Sequence, residues 1–387
     1  MPSICLHNGT VLTGFAVMER CAVLIEDGVV GDVFSQKRFE QKRFGAEVQI
    51  IDACGAYIAP GLIDTHIHGF GGFGTSDASA DSIIQMSRLL VRCGVTAFNP
   101  TLYPSEEMPK TVAQIAASLG QESGARIMGL HLEGPFLSPK RLGVQRPETL
   151  RAVDIPFMEQ LWEAACGHII NMTVAPELKG MRELALWCIK KGIVLQAGHT
   201  DAEYENMVEA MQAGILHSTH LFNAMSKMDH RNPNAVGSIL IHPEISCEII
   251  ADGCHVHPDL FKLLLRDKPV DKIVLVTDGL KPTEQSEGPF FANGEEVVFH
   301  DGLFHRKTDD VIAGSALTMI RGVQNLVSFG FSLEDAVKTA SSNPARIMRY
   351  SRKGSIIPGC DADLVVFDKD FSVRATMVGG VLKHNTL

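Results

Sequence analysis

The chain carries nine cysteines but no C-x-x-C pair, and it lacks an apolar run long enough to span a membrane. An odd number of thiols, scattered through a long chain, argues against a disulfide framework and for reduced thiols in a cytosol. Cys247 and Cys254 fall near candidate polar positions, yet they read as small buried residues. The opening Met1-Pro2-Ser3-Ile4-Cys5 has no basic-then-apolar signal pattern, so a cytoplasmic location is expected. Positive charge is not in excess. The net charge of −10 argues against a general nucleic-acid or anionic-membrane surface and leaves room only for a local basic pocket. Neither a low-complexity linker nor a short internal repeat is present.

What is there reads as globular: 45% hydrophobic residues and moderate charge over 387 positions, a length that fits one large barrel with a minor domain. Both ends are rich in short strands. Ile4–Leu6, Ala22–Glu26, Val29–Val33 and Val48–Asp52 open the chain, with Asp27-Gly28 as a hairpin turn. Gly354-Ser355-Ile356, Ala362–Asp368 and Val373–Val378 close it, with Gly379-Gly380 turning into Val381. A small β-sandwich domain built from residues 1–56 and 350–387 is therefore expected around a middle of another kind.

That middle, residues 57–349, alternates. Strands are expected at Leu62–His68, Val95–Asn99, Ile127–Glu133, Ile169–Ala175, Val194–His199, Ile215–Leu221, Ile245–Asp252 and Ile273–Asp278. Helical stretches separate them, such as Asp81–Cys93, Met108–Leu119, Met181–Lys191, Glu203–Ala213 and Pro258–Leu265. Leu317–Phe329 and Leu333–Thr339 follow, the latter capped by Ser332. Strand–helix alternation of this length points to an α/β fold, a (β/α)8 barrel of the TIM type, although doubly wound sheets alternate too.

Catalytic groups of such barrels sit at the C-terminal ends of strands. His66 and His68 end the first strand, one residue apart and so on one face. Alone they read either as half a metal site or as one core histidine with a chance neighbour. Asn99, Glu133, His199, His220, Asp252 with His255, and Asp278 end others. Charged groups are rarely buried unless paired or bound to metal, so this alignment at one rim points to chemistry. His131 stays open as core or supporting residue. His217 is expected to face the helices, His257 to stand near a helix N-cap, and His230, His242, His300 and His305 to lie on the surface. Two imidazoles and a carboxylate can hold Zn²⁺ or a similar ion and leave a position for water. An Asp beside them can move the proton that hydrolysis of a C–N bond requires.

These residues carry a resemblance. His131-Leu132-Glu133-Gly134-Pro135-Phe136, Ala197-Gly198-His199-Thr200, Thr219-His220-Leu221-Phe222-Asn223-Ala224-Met225, Asp252-Gly253-Cys254-His255 and Thr277-Asp278-Gly279 resemble the amidohydrolase superfamily, and within it the branch that deacetylates N-acetylglucosamine 6-phosphate. Ala313-Gly314-Ser315-Ala316, Asn343-Pro344-Ala345 and the stretch from Gly354 to Leu364 match as well, so the resemblance covers almost the whole chain. Many two-metal amidohydrolases use a bridging Lys on the fourth strand, and Ile169–Ala175 has none.

The resemblance implies that Glu133, His199 and His220 bind the principal divalent metal, Zn or Fe, and that Asp278 serves as base and then acid. It implies that His255 contacts the sugar or its amide oxygen. Asn223, the Ala224 backbone and Arg231 would bind phosphate, with Arg231 reaching in from the partner of a homodimer. Where many relatives have His, this chain has Gln145, a candidate contact to a sugar hydroxyl or phosphate. His66 and His68 would complete a second metal position, bridged by Glu133. A cyclic amidase or deaminase, and a barrel without activity, are the alternatives.

Overall fold

In a computed structural model, which describes residues 3–285 and 289–387, the apolar segments of the middle lie parallel in one curved sheet. Met1 and Pro2 lie outside the described residues. The barrel strands are Leu62–Ile67, Val95–Leu102, Leu130–Glu133, Ile169–Val174, Val194–Ala197, His217–Ser218, Ser246–Ile250 and Ile273–Val276. Each pairs in parallel with the next. The ring closes where Ile67 bridges Gly279, with the Asp278 N–H on the His66 carbonyl at 2.9 Å. The Thr277 hydroxyl, donating to Asp64 at 2.6 Å, ties the same seam. This closure distinguishes the barrel from a doubly wound sheet, and the expected (β/α)8 architecture is the one observed.

The sequence pattern explains the layers. The first two strands are buried at every position, as parallel strands covered on both faces should be. The helices bury one stripe. Met181, Leu184, Ala185 and Cys188 of Met181–Lys191 face inward at helical spacing, and Gly192 at φ +83° ends that helix in the left-handed region. The Ser332 hydroxyl accepts the Asp335 N–H at 3.0 Å, capping Leu333–Thr339. The His257 ring likewise caps Pro258–Asp267.

Both chain ends supply the small domain. Its single branched sheet contains Ser3–Leu12, Val17–Glu26, Val29–Ser35, Val48–Asp52, Tyr57–Pro60, Leu364–Phe367, Val373–Val378 and Val381–Asn385. Ile4, Leu6, Val23, Ile58, Leu364, Val366 and Met377 share its core. Tyr57–Pro60 pairs with Leu364–Phe367 and with Ser3–Leu12, so residues 57–60 extend the small sheet instead of opening the barrel. The chain then crosses at Gly61, where a Cβ would meet the Thr96 hydroxyl at 2.1 Å. Gly354-Ser355-Ile356 forms no strand; its Ile356 N–H donates to the Thr13 carbonyl at 3.0 Å.

Three short strands absent from the sequence reading, Phe290–Ala292, Glu295–His300 and Leu303–Arg306, form a separate sheet after the eighth barrel strand. Asn293-Gly294 and Asp301-Gly302 turn between them, two hairpin signals that would have revealed it. All nine cysteines are free, but Cys254 is exposed, not buried as expected. His305 is buried against the His300 ring, with centroids 3.9 Å apart, instead of lying on the surface. Among the described residues no helix is long and apolar enough to cross a membrane.

Candidate metal and active site

The strand ends deliver their side chains to one cavity of about 390 Å³, lined among others by Glu133, His199, His220, Asn223, His255 and Asp278. Three of these residues hold unusual backbone. His199, His220 and Asp278 have φ of +47°, +22° and +50°, the left-handed region that non-glycine residues avoid. Each lies two residues past the end of its strand, so the turn throws the side chain over the barrel mouth. Before His199, Gly198 permits close packing, since a Cβ there would meet Thr219 at 2.6 Å.

Glu133 is the centre. Its Oε1 lies 3.0 Å from His199 Nε2 and 3.2 Å from His220 Nε2. His199 Nδ1 donates to the Arg141 carbonyl at 3.0 Å, which leaves its Nε2 lone pair facing Glu133. On the other side His66 Nε2 is 3.5 Å from both Glu133 and Asp278, and His68 Nε2 is 3.4 and 3.3 Å from the same two carboxylates. Both Nε2 atoms are buried without a hydrogen-bond partner. Two groups result, Glu133–His199–His220 and His66–His68–Asp278, each with ligand atoms within 4.8 Å of one another. Buried imidazole nitrogens and carboxylate oxygens turned toward each other, with unsatisfied acceptors, suit a divalent cation.

The electrostatics agree with the geometry. Burial would raise the Glu133 carboxyl, but His199, His220 and His68 outweigh it and hold the group well below the ordinary carboxylate range. Burial would also raise Asp278, and His66 and His68 bring it below its ordinary value. Burial opposes protonation of His66, yet Glu248, Asp278 and Glu133 raise it to about 10. Positive charge at this point is strongly favoured.

The other sequence-based candidates divide. Asn223 and Ala224 line the cavity, and Asn223 Nδ2 donates to the Leu221 carbonyl at 3.2 Å. His255 lines it too, its Nδ1 held by Asp252 at 2.6 Å. Gln145 is buried and donates to Glu133 Oε2 at 2.7 Å, so in this structure it braces the carboxylate and stands behind the cavity wall formed by Gly143 and Val144. Arg231 is exposed, and its N–H donates to Asp229. Asn99, expected at the rim, lies within a strand that continues to Leu102, and it bonds Asn171 inside the barrel. His131 supports from below, between the Thr101 and Thr173 hydroxyls, and burial together with His66 keeps it neutral. His217 does not face the helices: it approaches Glu248 to 3.9 Å.

Sequence reasoning missed three contributors. Tyr103 stacks flat on His68, centroids 3.7 Å apart, and lines the cavity. Asp310, Val311 and Ile312 reach the cavity from the segment after the added sheet. Glu248 bonds His66 Nδ1 at 3.0 Å. A carboxylate amid Ser246-Cys247-Glu248-Ile249-Ile250 is a lone charge in an apolar strand, and that was the available signal.

Comparison with known proteins gives the same answer along the whole chain. Residues 57–383 match the amidohydrolase family. The chain is 34% identical over 386 residues to the N-acetylglucosamine-6-phosphate deacetylase of Bacillus subtilis (strain 168), covering 98% of this chain and 96% of that one. The human protein of that name is 33% identical, over 89% of this chain and 87% of its own. Among solved structures, the Pasteurella multocida N-acetylglucosamine-6-phosphate deacetylase superposes with a TM-score of 0.92 at 29% identity, covering 99% and 100% of the two chains. A mutant of the Mycobacterium smegmatis enzyme, in complex with N-acetyl-D-glucosamine-6-phosphate, gives 0.91 at 29% identity over 100% of both. The chain belongs to the amidohydrolase family and, within it, to the N-acetylglucosamine-6-phosphate deacetylases.

Proposed function

We propose that the protein hydrolyses the acetamide of N-acetylglucosamine 6-phosphate, giving glucosamine 6-phosphate and acetate, in amino-sugar catabolism or cell-wall recycling. The observation that carries this reading is the convergence of His199 and His220 on one oxygen of Glu133, with Asp278 facing the same cavity. Glu133, His199 and His220 would hold the principal ion, Zn or Fe; His66 and His68, with Glu133 shared, would hold a second. When bound, such a cation polarises the amide carbonyl and lowers the pKa of water. Asp278 takes the proton of the attacking water through its carboxylate and delivers it to the departing sugar nitrogen. His255, fixed at Nδ1 by Asp252, offers its Nε2 edge to the amide oxygen.

Asn223 and the Ala224 backbone line the wall where we place the phosphate. Arg231, exposed on its loop, would complete the corresponding site of a partner subunit in a homodimer. Gln145 would contact sugar or phosphate only if it exchanged its present bond to Glu133. Nine free cysteines support a cytoplasmic setting. The test is acetate release from N-acetylglucosamine 6-phosphate and from the unphosphorylated sugar, with divalent metal supplied. Faster turnover of the phosphorylated sugar is expected; no turnover of either would end the proposal.

A further inference from the structure

Beneath the cavity a chain of buried side chains crosses the barrel. The Tyr350 hydroxyl donates to Asn99 Oδ1 at 2.8 Å, and Asn99 Nδ2 donates to Asn171 Oδ1 at 3.0 Å. Asn171 Nδ2 donates to Gln196 Oε1 at 2.6 Å, and Gln196 Nε2 donates to Glu248 Oε1 at 2.8 Å. Each amide therefore passes its donor end toward Glu248, a group that, ionised, can only accept. Its other oxygen, Oε2, receives the His220 backbone N–H at 3.3 Å and meets His66 Nδ1 at 3.0 Å. A backbone N–H can only donate, so the Oε2 position must be an acceptor, and His66 must carry its proton on Nδ1. Reversing the amides is opposed at Asn171, whose Nδ2 also donates to the Thr65 carbonyl at 3.3 Å.

We propose that Glu248 is a positioning residue that fixes the Nδ1–H tautomer of His66 and so presents Nε2 as a ligand atom in the second metal position. The assignment rests on the two-ion reading given above. Glu248 is fully buried and absent from the cavity wall, which it meets at the backbone N–H of His220. Its one side-chain contact to a proposed metal ligand is with the His66 ring, whose Nε2 faces Glu133 and Asp278 without a partner. A partner on the far nitrogen of a metal-ligating histidine sets both the tautomer and the ring orientation, and its loss typically weakens metal affinity roughly 10- to 100-fold.

The experiment compares metal content and affinity in the unaltered protein, Glu248→Leu and Glu248→Gln. Two ions per chain are expected in the unaltered protein. Glu248→Leu should weaken only the second ion, by roughly 10- to 100-fold. Glu248→Gln, which keeps one oxygen available for His66 Nδ1–H, should recover most of that affinity. Unchanged binding in Glu248→Leu, equal loss of both ions, or a single ion in the unaltered protein would each overturn the assignment. Because the leucine variant removes a buried hydrogen-bonding group and can fail to fold, a second measurement is made on the unaltered, metal-loaded protein. Nitrogen-15 spectra of its histidines, with the His66 signals identified through His66→Asn, should show a protonated Nδ1. A proton on Nε2 would refute the proposal. Acetate release is not among these readouts. A protein that binds two ions but does not release acetate would sink the proposed function and leave the role of Glu248 standing.

Discussion

Asp278→Asn separates the proton-transfer step from binding of the principal ion, whose residues are Glu133, His199 and His220. Asn keeps the volume and one carbonyl oxygen, so the side chain can still occupy its place 3.3 Å from His68 Nε2. The Glu133–His199–His220 group does not include Asp278 and should retain its ion. What disappears is a carboxylate that can accept and return a proton. Losing such a group costs roughly 10²- to 10⁴-fold in rate, or about 3 to 5 kcal/mol of barrier. The neutral amide escapes repulsion from Glu133 but also loses the stronger attraction of His66 and His68, so thermal unfolding is followed on the same preparation. The assay is acetate release at saturating substrate, with metal content measured on the same preparation. We expect kcat to fall by at least ~10²-fold with KM little changed and one ion retained. Near-normal kcat would show that another group moves the proton. A fall in rate matched by loss of the Glu133 ion would show that Asp278 acts through the metal site.

Arg231→Ala should raise KM for the phosphorylated sugar and leave the unphosphorylated one unaffected; an equal change in both would remove Arg231 from the phosphate site. Replacing His66 and His68 together with Asn should reduce bound metal from about two ions to one on ligand count. A single ion in the unaltered protein would make the pair supporting residues instead. In the metal-free protein, Glu248 falls from 4.5 to about 2 on folding, which stabilises the fold above pH 4.5 and is lost as pH drops toward 2. His66 rises from 6.5 to about 10, so its contribution is present below pH 6.5 and lost as pH climbs toward 10. The stability advantage over Glu248→Gln should therefore peak between pH 4.5 and 6.5, on the order of 3 kcal/mol at about 1.36 kcal/mol per unit for Glu248. Chemical denaturation across that range measures it, and a difference independent of pH would refute the pairing.

The residues that could be read from sequence are those whose position along a strand fixes their direction. His66 and His68 share a face because side chains alternate, and both reach Glu133. Glu133, His199 and Asp278 stand where apolar strands stop, and a barrel gathers all such ends at one mouth. Asn99 shows the limit of that reasoning. Its polarity resembled a strand end, but the strand continues through Pro100 and Thr101 to Leu102, and the amide is satisfied inside by Asn171 and Tyr350. Asn171 and Tyr350 come from remote parts of the chain, so no local pattern could distinguish a buried network from a catalytic rim. The same network conceals Glu248. The pairing order that brings the seventh strand's carboxylate beneath the first strand's histidine exists only once the ring is closed at Ile67 and Gly279. Local alternation therefore identifies the atoms that face a metal. The groups that orient those atoms become legible only through closure, because their partners are neighbours in the barrel and not in the chain.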